Sequence, residues 1–167
     1  MISKKFILNT LKKFIFILLK TKKIENIYNY HKIDDLFETS GQPTENELIL
    51  ISRKFNLVIN LAPISAFEKK IINEKKILES LNVNYIHIPV DFKNPSSKDF
   101  EKFVSAINAN KDKKIWIHCA ANMRVSAFMY KYRKEVLNMD HNDIIDDLHT
   151  LWRPNRTWSD FLNLNNF

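Results

Sequence analysis

Short apolar runs alternate with longer stretches of helical periodicity along most of this chain. The apolar runs predict strands at 27–33, 36–39, 57–61, 85–90 and 115–117. The periodic stretches predict helices at 44–54, 67–81, 97–109, 124–137, 142–152 and 157–162. Strands that alternate with helices predict an α/β fold, in which helices cover both faces of a mostly parallel sheet of about four to five strands.

Capping residues mark several of the predicted helix boundaries. Thr44 and Glu47 have the spacing of a capping box, and Ser97 and Asp140 are predicted to cap two later helices. Gly41, the only glycine of the chain, lies in the predicted turn before the first of these caps.

The net charge of +7 is concentrated in the first 23 residues. Residues 1–23 contain seven lysines and no acidic residue, whereas 24–167 contain 19 basic and 19 acidic residues. A domain without excess positive charge argues against a nucleic-acid partner. We therefore divide the chain into a basic N-terminal extension at 1–23 and one domain at 24–167.

The extension has an amphipathic pattern. On a helix its lysines lie largely opposite one apolar face, formed by Ile7, Leu11, Phe14, Ile15 and Leu18. Its longest apolar run, 14–19, is far shorter than the ~20 residues that span a bilayer. Two alternatives follow: a helix that lies on anionic lipid at the inner face of the membrane, or an additional helix packed on the domain.

The only cysteine, Cys119, lies between a predicted buried strand and a predicted helix. A single cysteine excludes an internal disulfide and a cysteine-based zinc site, and it suits a reducing cytoplasm. The N-terminus of a helix favours negative charge, so a cysteine there forms a thiolate readily. The alternative is a small buried core residue.

The residues around this cysteine favour a functional interpretation. Backbone N–H groups at the start of a helix can hold an oxyanion, to which Arg124 adds a bidentate clamp. The residues of this predicted oxyanion site are Ala120, Ala121, Asn122, Met123 and Arg124. His118 precedes the cysteine on a buried strand, so we expect its side chain to point away from the ligand and to orient the loop through hydrogen bonds.

The sequence His118-Cys119, a short loop, Arg124 and Ser126 resembles the phosphate-binding loop of cysteine-dependent protein tyrosine and dual-specificity phosphatases. Longer segments, among them ENIYNYHKIDDLFETSGQPTENEL and IHCAANMRVSAFMYKYR, are similar to a bacterial group of small tyrosine-phosphatase-like proteins, and the resemblance covers about residues 24–163. It implies a phosphatase-like fold and a hydrolase that forms a cysteinyl-phosphate and requires no cofactor.

The resemblance also implies a role for each matching residue. Cys119 attacks phosphorus, Arg124 holds the phosphoryl oxygens, Ser126 supports the departing thiolate and Asp91 protonates the leaving oxygen. Asp91 lies 28 residues before the cysteine, in the segment IPVDFKNP. Its alternative role is that of a solvated loop carboxylate, and Asp99 is the second choice for the general acid.

The loop departs from the phosphatase pattern in its spacing. The usual signature is C-x5-R with glycine third after the cysteine, whereas here Arg124 comes one position early and Asn122 stands at the glycine position. Asparagine is among the few other residues that tolerate a left-handed backbone. One residue on a helix is about 100° of rotation, so Arg124 reaches a phosphate only if the loop adjusts.

Two other functions follow from this short loop. It is similar to the active loop of single-domain rhodaneses, which carry sulfane sulfur on the cysteine, and it also fits a catalytically weak oxyanion-binding protein. The phosphatase remains the preferred interpretation because His118 and the longer segments match that group.

Two further groups of residues contain side chains that occur in functional sites. The histidines show no metal-ligand spacing, so no metal site is predicted. The C-terminal residues Trp152, Arg153, Asn155 and Trp158 either line the mouth of the site or pack the last helices together.

Overall fold

Five short strands form the central sheet of the computed structural model, which describes residues 23–63 and 68–164. The strands are β1 (His31–Lys32), β2 (Phe37–Ser40), β3 (Leu57–Asn60), β4 (Asn84–His87) and β5 (Ile115–His118). Their order in the sheet is β1-β2-β5-β3-β4, and only β1 runs antiparallel to its neighbour. This confirms the predicted mostly parallel α/β fold.

Six α-helices connect and cover the described strands. They are α1 (Glu45–Ile51), α2 (Glu68–Ser80), α3 (Ser97–Asn108), α4 (Met123–Glu135), α5 (His141–Leu151) and α6 (Arg156–Phe161). Thr44 and Glu47 form the predicted capping box, and Asp140 caps α5 by accepting a hydrogen bond from the N–H of Asn142. The chain enters the sheet through a short 3₁₀ turn, Ile24–Asn26.

Side chains that alternate along the strands divide the interior into two cores. On β5, Ile115 and Ile117 face the core beneath α3, α4, α5 and α6, whereas Trp116 faces the smaller core beneath α1 and α2. All four residues of β3 and of β5 are buried, as is typical of strands covered on both faces. Cys119 belongs to the first core, and His118 therefore points toward the second.

Several boundaries differ from the predicted ones, three of them as follows. The segment 27–30 forms a turn rather than part of a strand. Strand β4 ends at His87 because Pro89 has no N–H to donate to the ladder, although Ile88 and Val90 still bond to Asn60 and Leu61. Ser96 caps α3 in place of the predicted Ser97, since its hydroxyl accepts the N–H of Asp99 at 3.2 Å.

Residues 1–22 of the predicted amphipathic extension, with its face of Ile7, Leu11, Phe14, Ile15 and Leu18, lie outside the described residues. Among the residues that the structure does describe, no helix combines the length and the apolar character needed to cross a bilayer.

Candidate active site

Cys119 lies at the carboxyl edge of the sheet, directly after the central strand β5. Neighbouring strands β2 and β3 end at the same edge, since Ser40 and Asn60 both pair with His118. The cysteine is fully buried, and α4 begins four residues later at Met123. In parallel sheets ligands bind at this edge of the strands, so the structure places the predicted nucleophile where a site is expected.

Asn122 turns the chain from the loop into α4. Its φ of 62° lies in the left-handed region, as predicted for a residue at the glycine position. Its side-chain amide donates to the carbonyl of Asn29 at 2.7 Å and to the hydroxyl of Thr39 at 2.9 Å. These bonds hold the left-handed turn against the turn at 27–30 and against β2. A glycine at this position has no side chain and cannot form them.

The carbonyl groups of the loop point outward toward two neighbouring segments. The carbonyl of Ala120 accepts the N–H of Gln42 at 3.1 Å, and that of Ala121 accepts the side-chain amide of Asn29 at 3.0 Å. Gly41 permits this close approach, because a Cβ there would lie 3.0 Å from the Ala120 oxygen and 2.6 Å from a ring carbon of Tyr28. The only glycine of the chain thus sits where the loop contacts the rest of the domain.

The N–H groups of the loop are left for a ligand. In a planar trans peptide the N–H points opposite to the carbonyl, so outward carbonyls turn the next N–H groups toward the inside of the loop. Within the described part of the chain, no acceptor bonds to the N–H groups of Ala120, Ala121, Met123 and Arg124. These N–H groups, together with that of Asn122, belong to the residues predicted for the oxyanion site, and we call them the amide cradle.

Arg124 is held against the segment that follows β4. Its Nε donates to the carbonyl of Val90 at 2.9 Å, and its guanidinium lies 5.1 Å from the ring centre of Phe92. The side chain is only 9% exposed. The bond at Nε fixes the side chain. Its two terminal nitrogens, which we call the fork, have no bond to any described residue and are available to an anion.

The aromatic residues of the C-terminal helices support this arrangement. Trp152 and Trp158 lie 5.7 Å and 5.4 Å from the ring centre of Phe92, and the indole N–H of Trp158 donates to the Phe92 carbonyl at 2.9 Å. These tryptophans therefore pack the last helices together and also contact the Phe92 ring beside which Arg124 lies. That they line the mouth of the site stays a prediction.

Asp91 directly follows Val90, whose carbonyl Arg124 binds, and it is exposed. Its carboxylate accepts the N–H of Lys93 at 2.9 Å, which holds the side chain in a turn. Asp99, the second choice, accepts bonds from Ser96 at 2.7 Å and from Lys102 at 3.1 Å. Asp99 thus serves the start of α3, and its position does not support a role as general acid.

The hydroxyl of Ser126 bonds within α4 and to the residue that follows α5. Its hydroxyl donates to the carbonyl of Met123 at 3.0 Å and accepts the indole N–H of Trp152 at 3.1 Å. In this structure Ser126 joins α4 to Trp152. Its role in assisting the departing thiolate stays a prediction.

His118 points away from the cradle, as predicted, and meets a residue that the sequence analysis missed. Its Nε2 lies 2.5 Å from a carboxylate oxygen of Glu74 on α2. The other oxygen of Glu74 accepts bonds from the amide of Asn60 at 3.0 Å and from the hydroxyl of Tyr85 at 3.4 Å. Burial, and after it the charge of Glu74, raises the pKa of Tyr85 above its ordinary value, so this hydroxyl keeps its proton.

Comparisons with known proteins agree with this geometry. The family model described as "DSP-PTPase phosphatase fused to NAD+ Kinase" matches residues 13–155, so the match begins inside the predicted extension. No curated protein matches the chain.

Solved structures give the same assignment of fold. Two crystal structures of a candidate phosphatase (DUF442) from Shewanella putrefaciens CN-32 share 28% and 30% sequence identity with the chain, with TM-scores of 0.74 and 0.69. They cover 84% and 86% of this chain, and 93% and 94% of their own. The core catalytic domain of the PP-IP phosphatase SIW14 from S. cerevisiae has the same fold at 17% identity, with a TM-score of 0.67 over 83% of this chain and 85% of its own.

Proposed function

Because this chain belongs to the family described as DSP-PTPase phosphatases fused to NAD+ kinase, and is thus a cysteine-dependent phosphatase that hydrolyses phosphoesters, we propose that Cys119 carries the reaction through a cysteinyl-phosphate. The observation that supports this proposal is a buried cysteine at the carboxyl edge of the sheet, followed by a loop whose carbonyls are bonded outward and by an arginine held at Nε. Comparing hydrolysis of an aryl phosphate by the wild-type chain and by Cys119 variants tests it.

The first chemical step transfers the phosphoryl group to sulfur. The Cys119 thiolate attacks phosphorus, the bond between phosphorus and the leaving oxygen breaks, and Asp91 in its acid form gives that oxygen a proton. The amide cradle and the fork of Arg124 hold the three remaining phosphoryl oxygens. The substrate is a phosphomonoester, either a protein phosphotyrosine or a smaller ester.

The second step returns the enzyme to its starting state. A water molecule attacks phosphorus, the bond between sulfur and phosphorus breaks, and the Asp91 carboxylate takes the proton from the water. Inorganic phosphate leaves and the Cys119 thiolate is restored, so no other reactant is consumed.

The short loop is compatible with this chemistry because Arg124 is oriented from outside the loop. A displacement of one residue rotates an arginine by about 100° around the helix. Here the carbonyl of Val90 and the ring of Phe92 fix the guanidinium from the side of the Asp91 loop. The same contacts bring the arginine close to the proposed general acid, which supports a site that uses both.

Replacing Asp91 with asparagine tests the general acid. We expect the variant to hydrolyse alkyl phosphates about 10²- to 10⁴-fold more slowly, since a poor leaving group requires a proton. Hydrolysis of p-nitrophenyl phosphate should change much less, because nitrophenolate leaves without one. The measurement is kcat for a series of esters plotted against the pKa of the leaving group.

Asp99→Asn is the matched control, since it makes the same chemical change in a carboxylate that serves the start of α3. Its leaving-group dependence should equal that of the wild type. Equal slowing of good and poor leaving groups in Asp91→Asn would assign Asp91 a structural role.

The extension 1–23 is proposed to bind the inner surface of the cytoplasmic membrane. Seven lysines in this segment adjoin a domain without net charge. Each lysine near an anionic surface contributes about 1 kcal/mol, within a screening distance of roughly 8–10 Å at physiological salt. We expect the full chain to sediment with anionic vesicles, and salt to release it.

Deleting 1–23 should abolish this sedimentation and leave the rate on a soluble substrate unchanged. Neutral vesicles provide the control for binding that does not depend on charge. A truncated chain that unfolds or loses activity would instead identify the segment as an integral helix of the domain.

A further inference from the structure

Asn29 bonds in two ways to the loop that follows Cys119. Its side-chain amide donates to the carbonyl of Ala121 at 3.0 Å, and its own backbone carbonyl accepts the side-chain amide of Asn122 at 2.7 Å. These two loop residues are consecutive, directly precede α4 and stand 92 and 93 positions after Asn29. One residue of the turn at 27–30 therefore holds the end of the loop through both its side chain and its backbone.

The turn that carries Asn29 has a fixed place in the domain. Ile27 is buried in the smaller core, and its carbonyl accepts the N–H of Tyr30 at 2.9 Å. The ring of Tyr30 stacks on that of Trp116, with the ring centres 6.0 Å apart. Asn29 lies between these two anchored residues with a φ of 50°, a left-handed backbone that asparagine tolerates better than most residues. The position of its side chain is thus set by the domain.

The bonds to Asn29 influence the direction in which α4 begins. The Ala121 carbonyl belongs to the planar peptide that leads into Asn122, so a donor fixed on this carbonyl restricts the rotation of that peptide. The left-handed Asn122 comes next, and after it the N–H groups of Met123 and Arg124, which have no acceptor among the described residues. N–H groups at the start of a helix bind oxyanions, and a misplacement of about 1 Å in such a site costs about 10²-fold in rate. The bond from Asn29 therefore bears on how the amide cradle fits a phosphoryl group.

We propose that Asn29 is a positioning residue for the phosphatase reaction, which acts through its bond to the Ala121 carbonyl and holds the amide cradle in the geometry that binds an oxyanion. This rests on the proposed function, in which the cradle holds the phosphoryl oxygens. Asn29 itself is assigned no contact with the substrate.

The test is Asn29→Gly, which removes only the side-chain bond. Glycine adopts a left-handed backbone without steric cost, and the carbonyl that accepts the Asn122 amide remains. We expect kcat/KM for p-nitrophenyl phosphate to fall about tenfold, which corresponds to the loss of one hydrogen bond. Inhibition by tungstate, a tetrahedral oxyanion, should weaken by a similar factor, because both quantities depend on the geometry of the amide cradle. Unchanged kcat/KM and tungstate inhibition in the folded variant would overturn the proposal.

Asn29→Asp provides a conditional rescue that a merely structural role would not show. A carboxylate only accepts hydrogen bonds, so at neutral pH it cannot donate to the Ala121 carbonyl, whereas the protonated carboxyl has one O–H to donate. The opposing carbonyl oxygen also raises the pKa of this carboxyl above the ordinary aspartate value of about 3.9. As the pH is lowered from about 7 to about 4.5, kcat/KM of Asn29→Asp relative to the wild type should rise.

The ratio for Asn29→Gly should stay constant over the same pH range. The titrations of Cys119 and Asp91 are common to all three chains, so they cancel in these ratios. A ratio for Asn29→Asp that does not change with pH would contradict the proposal. If Asn29→Gly fails to fold, as circular dichroism would reveal, Asn29→Asp carries the test, because its bond to the loop returns in acid within the same chain.

Asn82→Gly is the matched control. Asn82 also has a left-handed backbone, with a φ of 58°, but it is exposed in the turn between α2 and β4. The chemical change is the same as at position 29, and the kinetics should equal those of the wild type. If Asn82→Gly lowers kcat/KM as much as Asn29→Gly does, the loss reflects general destabilisation and the proposal is wrong.

Tungstate binding also separates this proposal from the proposed function, since it requires no turnover. Its dissociation constant can be measured by calorimetry on each folded chain. If the wild type hydrolyses no phosphoester but binds tungstate, and Asn29→Gly weakens this binding about tenfold, the assignment of Asn29 holds and that of the reaction fails. If the wild type is an active phosphatase and Asn29→Gly matches it in both measurements, the reaction stands and the assignment of Asn29 fails.

Discussion

Replacing Cys119 with serine is expected to lower the rate of p-nitrophenyl phosphate hydrolysis by about 10⁴-fold or more, as loss of the nucleophile does in other covalent enzymes. The serine hydroxyl remains protonated near neutral pH and is a far weaker nucleophile than a thiolate. Rapid mixing of the wild type with excess substrate should release about one nitrophenolate per chain in a fast first phase if hydrolysis of the intermediate limits turnover. The variant should show no such phase.

The control for this experiment is the fold of the variant. Cys119 is completely buried in the larger core, so a serine hydroxyl there costs about 1–3 kcal/mol if it finds no partner. Cys119→Ala removes the sulfur without adding a polar group, and both variants should keep a cooperative thermal transition. A folded variant that retains the wild-type rate would exclude the covalent mechanism.

Assays of the wild-type chain can also contradict the phosphatase assignment. If it releases no phosphate from any ester but transfers sulfur from thiosulfate to cyanide, the sulfurtransferase interpretation of the short loop is correct. A tetrahedral phosphoryl group has three oxygens to place, whereas a persulfide has none, so the two activities make different demands on the amide cradle.

The order of strands and helices was predictable because local signals along the chain agree with one another. The capping box at Thr44, the cap at Asp140 and the apolar run before Cys119 each mark a boundary that the structure reproduces. The left-handed Asn122 was predictable for the same reason, since the loop pattern requires that backbone conformation at one position and few residues adopt it.

The partners of the site residues were not predictable, because they come from distant parts of the chain. Phe92 meets Trp152 and Trp158 only after α5 and α6 pack against the sheet. The bond from the Trp152 indole to the Ser126 hydroxyl likewise joins residues 26 positions apart in the sequence. Spacing within a motif does not determine contacts of this kind.

Glu74 shows that a weak signal was present in the sequence. Glu74 and Glu79 lie on the same lysine-rich helix, but Glu79 is exposed and pairs with Lys75 at 3.7 Å. Glu74 precedes the buried Leu78 by four residues, so it occupies the apolar stripe of that helix. A carboxylate on such a stripe calls for a buried partner, and only the fold identifies that partner as His118.

Arg124 carries the second large expected effect, because it tests whether the shortened spacing supports a phosphatase. Arg124→Ala should lower kcat/KM by roughly 10³-fold or more, since removing even one donor to a developing oxyanion costs about 10²- to 10³-fold. Arg124→Lys should lose about 10²-fold. A lysine keeps the charge, but it cannot bond to the Val90 carbonyl and offer a planar fork to the phosphoryl group at the same time.

The matched control is Arg156→Ala on α6, where the arginine side chain is 96% exposed; its kinetics should equal those of the wild type. Inhibition by tungstate separates ligand binding from stability, because Arg124→Ala also leaves the buried Val90 carbonyl without its donor, at about 1–3 kcal/mol. Weaker tungstate inhibition in a chain that stays folded would assign the fork of Arg124 to the bound oxyanion. If tungstate inhibition and turnover are unchanged in Arg124→Ala, Arg124 only supports the segment that carries Asp91. The amide cradle then binds the phosphoryl group without the arginine.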